Sequence, residues 1–355
     1  MNVRDLRVSR FINRNWPYII MFIFVFVVSL AIFLGQKQSS KEKETYQPHK
    51  VQLVSKEKIE QRQKAVEKIF QENLPLYLFI LSFNLLIILV FFLGLFTDGF
   101  LFYKWRRKEQ VLQRTIDDSR VKWKISDIFK FVIMFLAASY VFMIIEAILF
   151  KKFPILNNRS FRMIFNTTVT DTLGILFVIN FVVFTYRQQI VAIGLTLKNL
   201  TKNIFYGLAG YVAIIPIMFL TLFATTVVIN YFKLTPPVQP IVDLLLKEKK
   251  MSMLIYASIF AAVAGPIMEE IFFRGFMYNA LKKKMGILLS MLLTSIIFSL
   301  LHAHLIGIVP ILILGLLLNY LYEKTGSLIP SIVVHITHNL ASLAMVFMMK
   351  AIDFK

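Results

Sequence analysis

The residues of this chain best suited to chemistry are crowded into its last three-tenths. Glu269, Glu270 and Arg274 stand together in AGPIMEEIFFRGF, after a long apolar run. His302 and His304 close the next run, IIFSLLHAH, and His335, His338 and Asn339 lie in IPSIVVHITHNLAS. An ionisable residue within an apolar, membrane-length segment is costly to bury and is a functional candidate by default.

Helix geometry sorts these residues. Glu270 and Arg274 are four apart and share a face, in the favourable acid-before-base order. Glu269 points about 100° away, so one carboxylate is expected to pair with the arginine while the other faces a pocket. His335 and Asn339 also share a face, whereas His302 and His304 point nearly opposite ways. Such a set suits hydrolysis of an amide. A glutamate beside a histidine can position and deprotonate a water, and a histidine with an asparagine can donate hydrogen bonds to an oxyanion. Glutamate plus two histidines can equally hold Zn²⁺ with one position open; residue types leave both options standing. There is no H-E-x-x-H helix, no G-x-S-x-G elbow and no G-x-G-D motif, which removes other membrane protease classes.

The elements that must position these groups are membrane helices. Of 355 residues, 57% are hydrophobic and 17% charged, against roughly 45–50% and 25% in soluble domains. One soluble core cannot hide that much apolar surface, and disorder requires low hydrophobicity. The net charge is +20. In a membrane protein, Lys and Arg collect in loops facing the anionic cytoplasmic leaflet. The 35 Phe form no interleaved basic–aromatic surface suited to single strands, so no nucleic-acid partner is expected. Cysteine is absent, which excludes disulfides, thiol nucleophiles and thiolate metal sites.

The first apolar run, Trp16 to Leu34, follows four Arg and leads into GQKQSSKEKE without a small-residue cleavage site; it reads as a retained span. Eight more stretches follow, near Leu74–Phe96, Ile128–Phe150, Thr168–Tyr186, Ile204–Phe232, Met251–Leu281, Ile287–Leu301, Ile306–Tyr322 and Leu328–Met349. The expected fold is an all-α polytopic membrane protein with about nine transmembrane helices and an intramembrane catalytic bundle. Residues 36–73 are polar, with Ile59, Val66, Ile69 and Phe70 near helical spacing, as in an amphipathic helix. Residues 104–127 carry eight basic residues close to two spans, a cytoplasmic signature. PPVQP at 236–240 marks a break, after which 241–250 reads as a short interfacial helix. The chain thus divides into an N-terminal region, 1–125, with two spans and two charged loops, and a membrane-embedded bundle, 126–355. Charge places the N-terminus and the Lys282–Lys284 turn in the cytoplasm.

Depth along the helices is consistent with one site. Glu269 lies about 15 residues before the Lys282–Gly286 turn and His302 about 16 after it, so both sit roughly 22–24 Å from it in an antiparallel hairpin. His335 lies roughly 15 Å into a span that starts from the same side. Outside the set, His304 is expected at the interface, His338 in packing, Glu146 snorkelling near Lys151, and Asp171 at the start of its span.

E-E-x-x-x-R at 269–274, F-x-x-x-H at 298–302 and H-x-x-x-N at 335–339 occur in that order on apolar helices. Together they resemble the family of CAAX prenyl endopeptidases and bacteriocin-processing proteins, also called the CPBP or abortive-infection family. The resemblance covers about residues 200–355, and residues 1–125 lie outside it. It implies an intramembrane endopeptidase that cleaves membrane-associated protein or peptide substrates, in the plasma membrane of a prokaryote. Position by position, it implies that Glu269 activates water with His302 assisting, and that His335 and Asn339 stabilise the oxyanion. Glu270 and Arg274 match the second acid and the basic residue. It implies a metal-free glutamate mechanism with no cofactor, the alternative being Zn²⁺ on Glu269, His302 and His335. A non-catalytic scaffold or partner-binding protein on the same fold is the other class of function. A scaffold, however, has no need to keep all four residues together, and no repeat symmetry supports a transporter.

Overall fold

The computed structural model describes residues 3–39, 56–109, 112, 116, 119, 121–153, 158–234, 236, 238–302 and 305–353. All regular structure among the described residues is helical. Lipid enforces this, because a helix satisfies its backbone groups within itself. In chain order the helices are α1 (Val3–Ser39), α2 (Lys56–Glu72), α3 (Leu74–Arg106), α4 (Ile125–Lys152), α5 (Arg159–Ile179), α6 (Leu200–Tyr231), α7 (Pro240–Lys247), α8 (Met251–Ile259), α9 (Gly265–Glu270), α10 (Asn279–Met285), α11 (Ile287–Leu301), α12 (Ile308–Thr325) and α13 (Ile329–Asp353). π-helical turns continue α5 (Asn180–Thr185) and join α8 to α9 (Phe260–Ala264) and α9 to α10 (Ile271–Tyr278). Met251–Met285 is therefore one continuous helical run.

Among the described residues, eight helices are long and apolar enough to cross a membrane. The ninth apolar stretch is α11, of 15 residues. It spans about 22 Å, short of a hydrocarbon core of about 30 Å. The expected helical membrane protein is present, with eight full-length candidate spans and one short one.

The chain packs into two compact units, Met1–Gln47 with Lys122–Gln189, and Pro48–Val121 with Ile190–Lys355. The first contains α1, α4 and α5. Ser29 and Tyr140 share a hydrogen bond of 2.8 Å, and the Tyr186 hydroxyl donates to Asp127 at 2.5 Å. Glu146 departs from the expectation of snorkelling near Lys151. It is buried, and it accepts from Arg162 Nε and Asn166 Nδ2, each at 3.1 Å; a neighbouring helix offers two donors at depth, and pairing replaces the climb to the interface. α5 also begins earlier than its apolar profile implies, where Asn158 Oδ1 caps the Phe161 N–H. Asp171 consequently lies inside the helix rather than at its start.

The second unit contains the remaining helices. α2 is helical, with Ile69 fully buried and Lys64, Glu67 and Lys68 exposed, but Phe70, expected on the apolar face, is exposed as well; residues 40–55 of that polar segment lie outside the described residues. α7 is the expected short helix after the proline break, and Lys350 Nζ caps its end by donating to the carbonyls of Leu245 and Glu248. The core is Tyr211 and Ile214 of α6, Leu314, Leu318 and Leu321 of α12, and Val334 of α13. α6 and α13 meet at Gly207, where a Cβ would lie 2.8 Å from the Pro330 carbonyl oxygen. Small residues let membrane helices approach this closely. The Lys282–Gly286 turn differs from expectation. Residues Asn279–Met285 are helical, and the chain turns at Gly286 with φ +77°. Lys282 is buried with its Nζ 2.8 Å from Glu323 Oε2, so it is an ion-pair member rather than a loop charge.

Candidate active site

The run Met251–Met285 carries its two glutamates on α9, between two π-helical turns. The first turn has a local cause. The Gly265 N–H donates to Phe260 O, five residues back. The next N–H in that pattern would come from residue 266, which is proline and has none. The Ala261 carbonyl is left without a backbone partner in this register, and Asn339 Nδ2 of α13 donates to it at 2.8 Å. A buried carbonyl needs such a donor. The proline of AGPIMEE therefore ties the glutamate helix to the asparagine of the H-x-x-x-N motif.

Glu270 and Arg274 are both fully buried, with Nη1 to Oε1 at 2.8 Å. Arg274 Nη2 reaches the Gly315 carbonyl at 3.3 Å, and its guanidinium lies 4.5 Å from the centre of the Phe298 ring. The same Glu270 Oε1 is 2.9 Å from His335 Nδ1. A carboxylate paired with arginine accepts only, so His335 Nδ1 carries the proton. His302 is tethered in the same manner, its Nδ1 2.8 Å from the Phe298 carbonyl oxygen. Both histidines thus present Nε2 to the site, at 3.8 Å (His335) and 3.9 Å (His302) from Glu269 Oε2. That oxygen is buried and has no hydrogen-bond partner among the described residues. A buried carboxylate oxygen in such a position calls for a partner. A water about 2.8 Å from both Oε2 and one Nε2 would subtend about 85° there, so the spacing suits a bridging water.

Glu269, His302 and His335 each offer one ligand atom, all within 4.8 Å of one another. Zn²⁺ takes such donors at about 2.0–2.2 Å, and a carboxylate on the far nitrogen of a ligand histidine is a common means of fixing it. The donor types and number therefore suit a metal, with the imidazoles drawn slightly closer together to reach it.

The structure brings together Glu269, Glu270, Arg274, His302 and His335, and ties Asn339 to the same helical run. His338 is not one of the three clustered donors and packs edge-on against Tyr211, with ring centres 6.2 Å apart. His304 lies outside the described residues. Sequence reasoning missed the central part of Phe298. Its ring packs 5.1 Å from Phe273, 4.5 Å from His302 and 5.5 Å from His335 while facing Arg274. The spacing F-x-x-x-H carried that signal, since a carbonyl four residues back is the natural acceptor for a histidine ring at a helix end. The Glu270–His335 bond and the Ala261–Asn339 bond had no such marker beyond the proline.

Residues 251–341 match the family model described as type II CAAX prenyl endopeptidase Rce1-like. That stretch, about a quarter of the chain, is similar to the Rce1-like domain. It contains all six site residues, on α9, the second π turn, the end of α11 and α13. A stretch of 81 residues is 32% identical to a Bacillus subtilis protein named "Putative membrane peptidase YdiL". That stretch is 23% of this chain and 33% of the relative, so the match spans about a third of the relative's length. No solved structure matches the chain.

Proposed function

We propose that this protein is an intramembrane endopeptidase acting on membrane-associated polypeptides, with its N-terminus in the cytoplasm. Glu269, with His302 beside it, holds a water and takes one of its protons as the oxygen attacks the scissile carbonyl. The carbonyl oxygen becomes an oxyanion, which His335 and Asn339 face from α13. Collapse breaks the C–N bond, and the proton on Glu269 passes to the leaving amine. What supports the reading is the convergence of two tethered imidazoles on the unpartnered Glu269 Oε2, within a stretch similar to the Rce1-like domain. Asn339 spends one amide hydrogen on Ala261 and keeps the other for the oxyanion. His335 donates through Nε2 only when its ring carries both protons, because Nδ1–H is committed to Glu270. The test is Glu269→Gln in purified, folded protein with a quenched fluorescent peptide. Turnover is expected to disappear, and wild-type turnover would remove Glu269 from the mechanism.

A second reading keeps the same reaction and adds a metal. Its support is the three-donor cluster with Glu270 fixing His335. Glu269, His302 and His335 would hold the ion, which supplies Lewis acidity and a more acidic bound water. The two readings make opposite demands on His335, which cannot donate through Nε2 and ligate through it at once. Activity surviving exhaustive chelation, with no stoichiometric metal by elemental analysis, supports the metal-free reading. Loss on chelation with recovery on adding Zn²⁺ supports the other.

A further inference from the structure

The run that carries the glutamates contains two π-helical turns, and each has an asparagine amide on one of its carbonyls. Asn339 Nδ2 serves Ala261 in the first. The second, Ile271–Tyr278, holds Arg274 and ends at Asn279, where the register changes. There the Asn279 backbone N–H goes to the Phe276 carbonyl. Its side-chain Nδ2 donates to the Gly275 carbonyl at 2.8 Å and reaches that of Arg274 at 3.3 Å. The other amide hydrogen goes to the Tyr322 hydroxyl at 2.6 Å, and that hydroxyl donates to the Ile193 carbonyl at 3.1 Å. Asn279, Arg274, Tyr322 and Ile193 are all buried. A Cβ on Gly275 would lie 3.1 Å from that of Ile193, so the backbone here has a fixed neighbour as well as a fixed donor.

This turn anchors one end of a series of contacts that finishes at His335. Arg274 Nη1 lies 2.8 Å from Glu270 Oε1, and that oxygen lies 2.9 Å from His335 Nδ1. A π turn replaces the ordinary i→i+4 pattern with i→i+5 bonds, and a buried carbonyl near the change of register still needs a donor. Asn279 supplies it to the carbonyl of Arg274 itself and to that of the next residue. Without that amide the backbone under Arg274 loses its side-chain support. A return to ordinary helix there would move the guanidinium against Glu270, and Glu270 is what holds the His335 ring.

The geometry points to Asn279 as a positioning residue of the site, acting through Arg274 and Glu270 on the His335 ring. Its effect on turnover rests on the peptidase reading; its effect on His335 does not. The test compares two side chains of one shape. A helical threonine can donate to the carbonyl four residues back, as Thr168, Thr294 and Thr337 do in this chain. Asn279→Thr therefore keeps a donor for Gly275, and Asn279→Val removes it. Two readouts are taken on purified full-length protein. One is kcat and KM with a quenched fluorescent peptide. The other is the nitrogen NMR spectrum of protein labelled at its histidines, in which the His335 Nδ1–H signal is identified by its loss in His335→Gln. Asn279→Val is expected to lower kcat on the order of 10²-fold, the cost of a misplacement of about 1 Å, with KM unchanged and the His335 signal lost. Asn279→Thr is expected to keep both. Wild-type kcat and signal in Asn279→Val, an equal fall in Asn279→Thr and Asn279→Val, or a lowered kcat with the His335 signal intact each overturn the inference. Asn279→Ser against Asn279→Ala repeats the comparison if Asn279→Val does not fold. If the wild-type protein cleaves no peptide, the peptidase reading fails, and the His335 signal alone decides the role of Asn279.

Discussion

The buried Glu270–Arg274 pair allows fold and chemistry to be separated. Glu270 Oε1 serves two donors, Arg274 Nη1 at 2.8 Å and His335 Nδ1 at 2.9 Å, and neither member of the ion pair is exposed. Glu270→Leu strands the Arg274 charge inside the bundle. Removing one member of a buried pair costs about 3–5 kcal/mol, whereas replacing both by apolar residues of similar volume is close to neutral. Glu270→Leu is therefore expected to be strongly destabilised, and Glu270→Leu with Arg274→Met to recover most of the loss. Turnover should not follow stability. In the double variant His335 Nδ1 has no acceptor, the ring is free to turn, and a misplacement of about 1 Å costs on the order of 10²-fold in rate. The assay pairs unfolding of the detergent-solubilised protein with single-turnover cleavage of a quenched peptide. A double variant that regains both stability and wild-type turnover would show that Glu270 acts only through the fold. A single Glu270→Leu as stable as wild type would refute the buried-pair argument itself.

Asn339→Ala removes an oxyanion donor and also orphans the Ala261 carbonyl. Turnover should fall by about 10²–10³-fold and stability by about 1–3 kcal/mol, measured by the same two assays; a change in KM alone would contradict the oxyanion role. Phe298→Leu keeps an apolar side chain under Arg274 but removes the ring's negative face. A loss of about 2 kcal/mol is expected for a desolvated cation–π contact, and unchanged unfolding would show that the 4.5 Å stacking carries little energy.

Much of this molecule is legible along the chain. Apolar runs of membrane length specify helices because lipid leaves the backbone no other economy. The i,i+4 pairing of Glu270 with Arg274 follows from helix period alone. Distance from the Gly286 turn brings Glu269 and His302 to one level, since both are counted along helices that leave the same corner. In each case the information is local to one helix or one hairpin.

What the tertiary structure decided is the rotation of helices about their axes and the partners met across them. The extra residue in each π turn re-aims everything that follows, and no apolar period records it. Pro266 hints at the first turn, but only the arrival of Asn339 shows what satisfies the Ala261 carbonyl. Lys282 reads as a loop charge until Glu323 and Tyr278 close around it. Glu146 likewise finds its donors on another helix. The tautomer of His335 is set by Glu270, 65 residues away. A hydrogen bond between helices depends on the relative rotation of both, and a linear sequence states the period of each helix but not the angle between them.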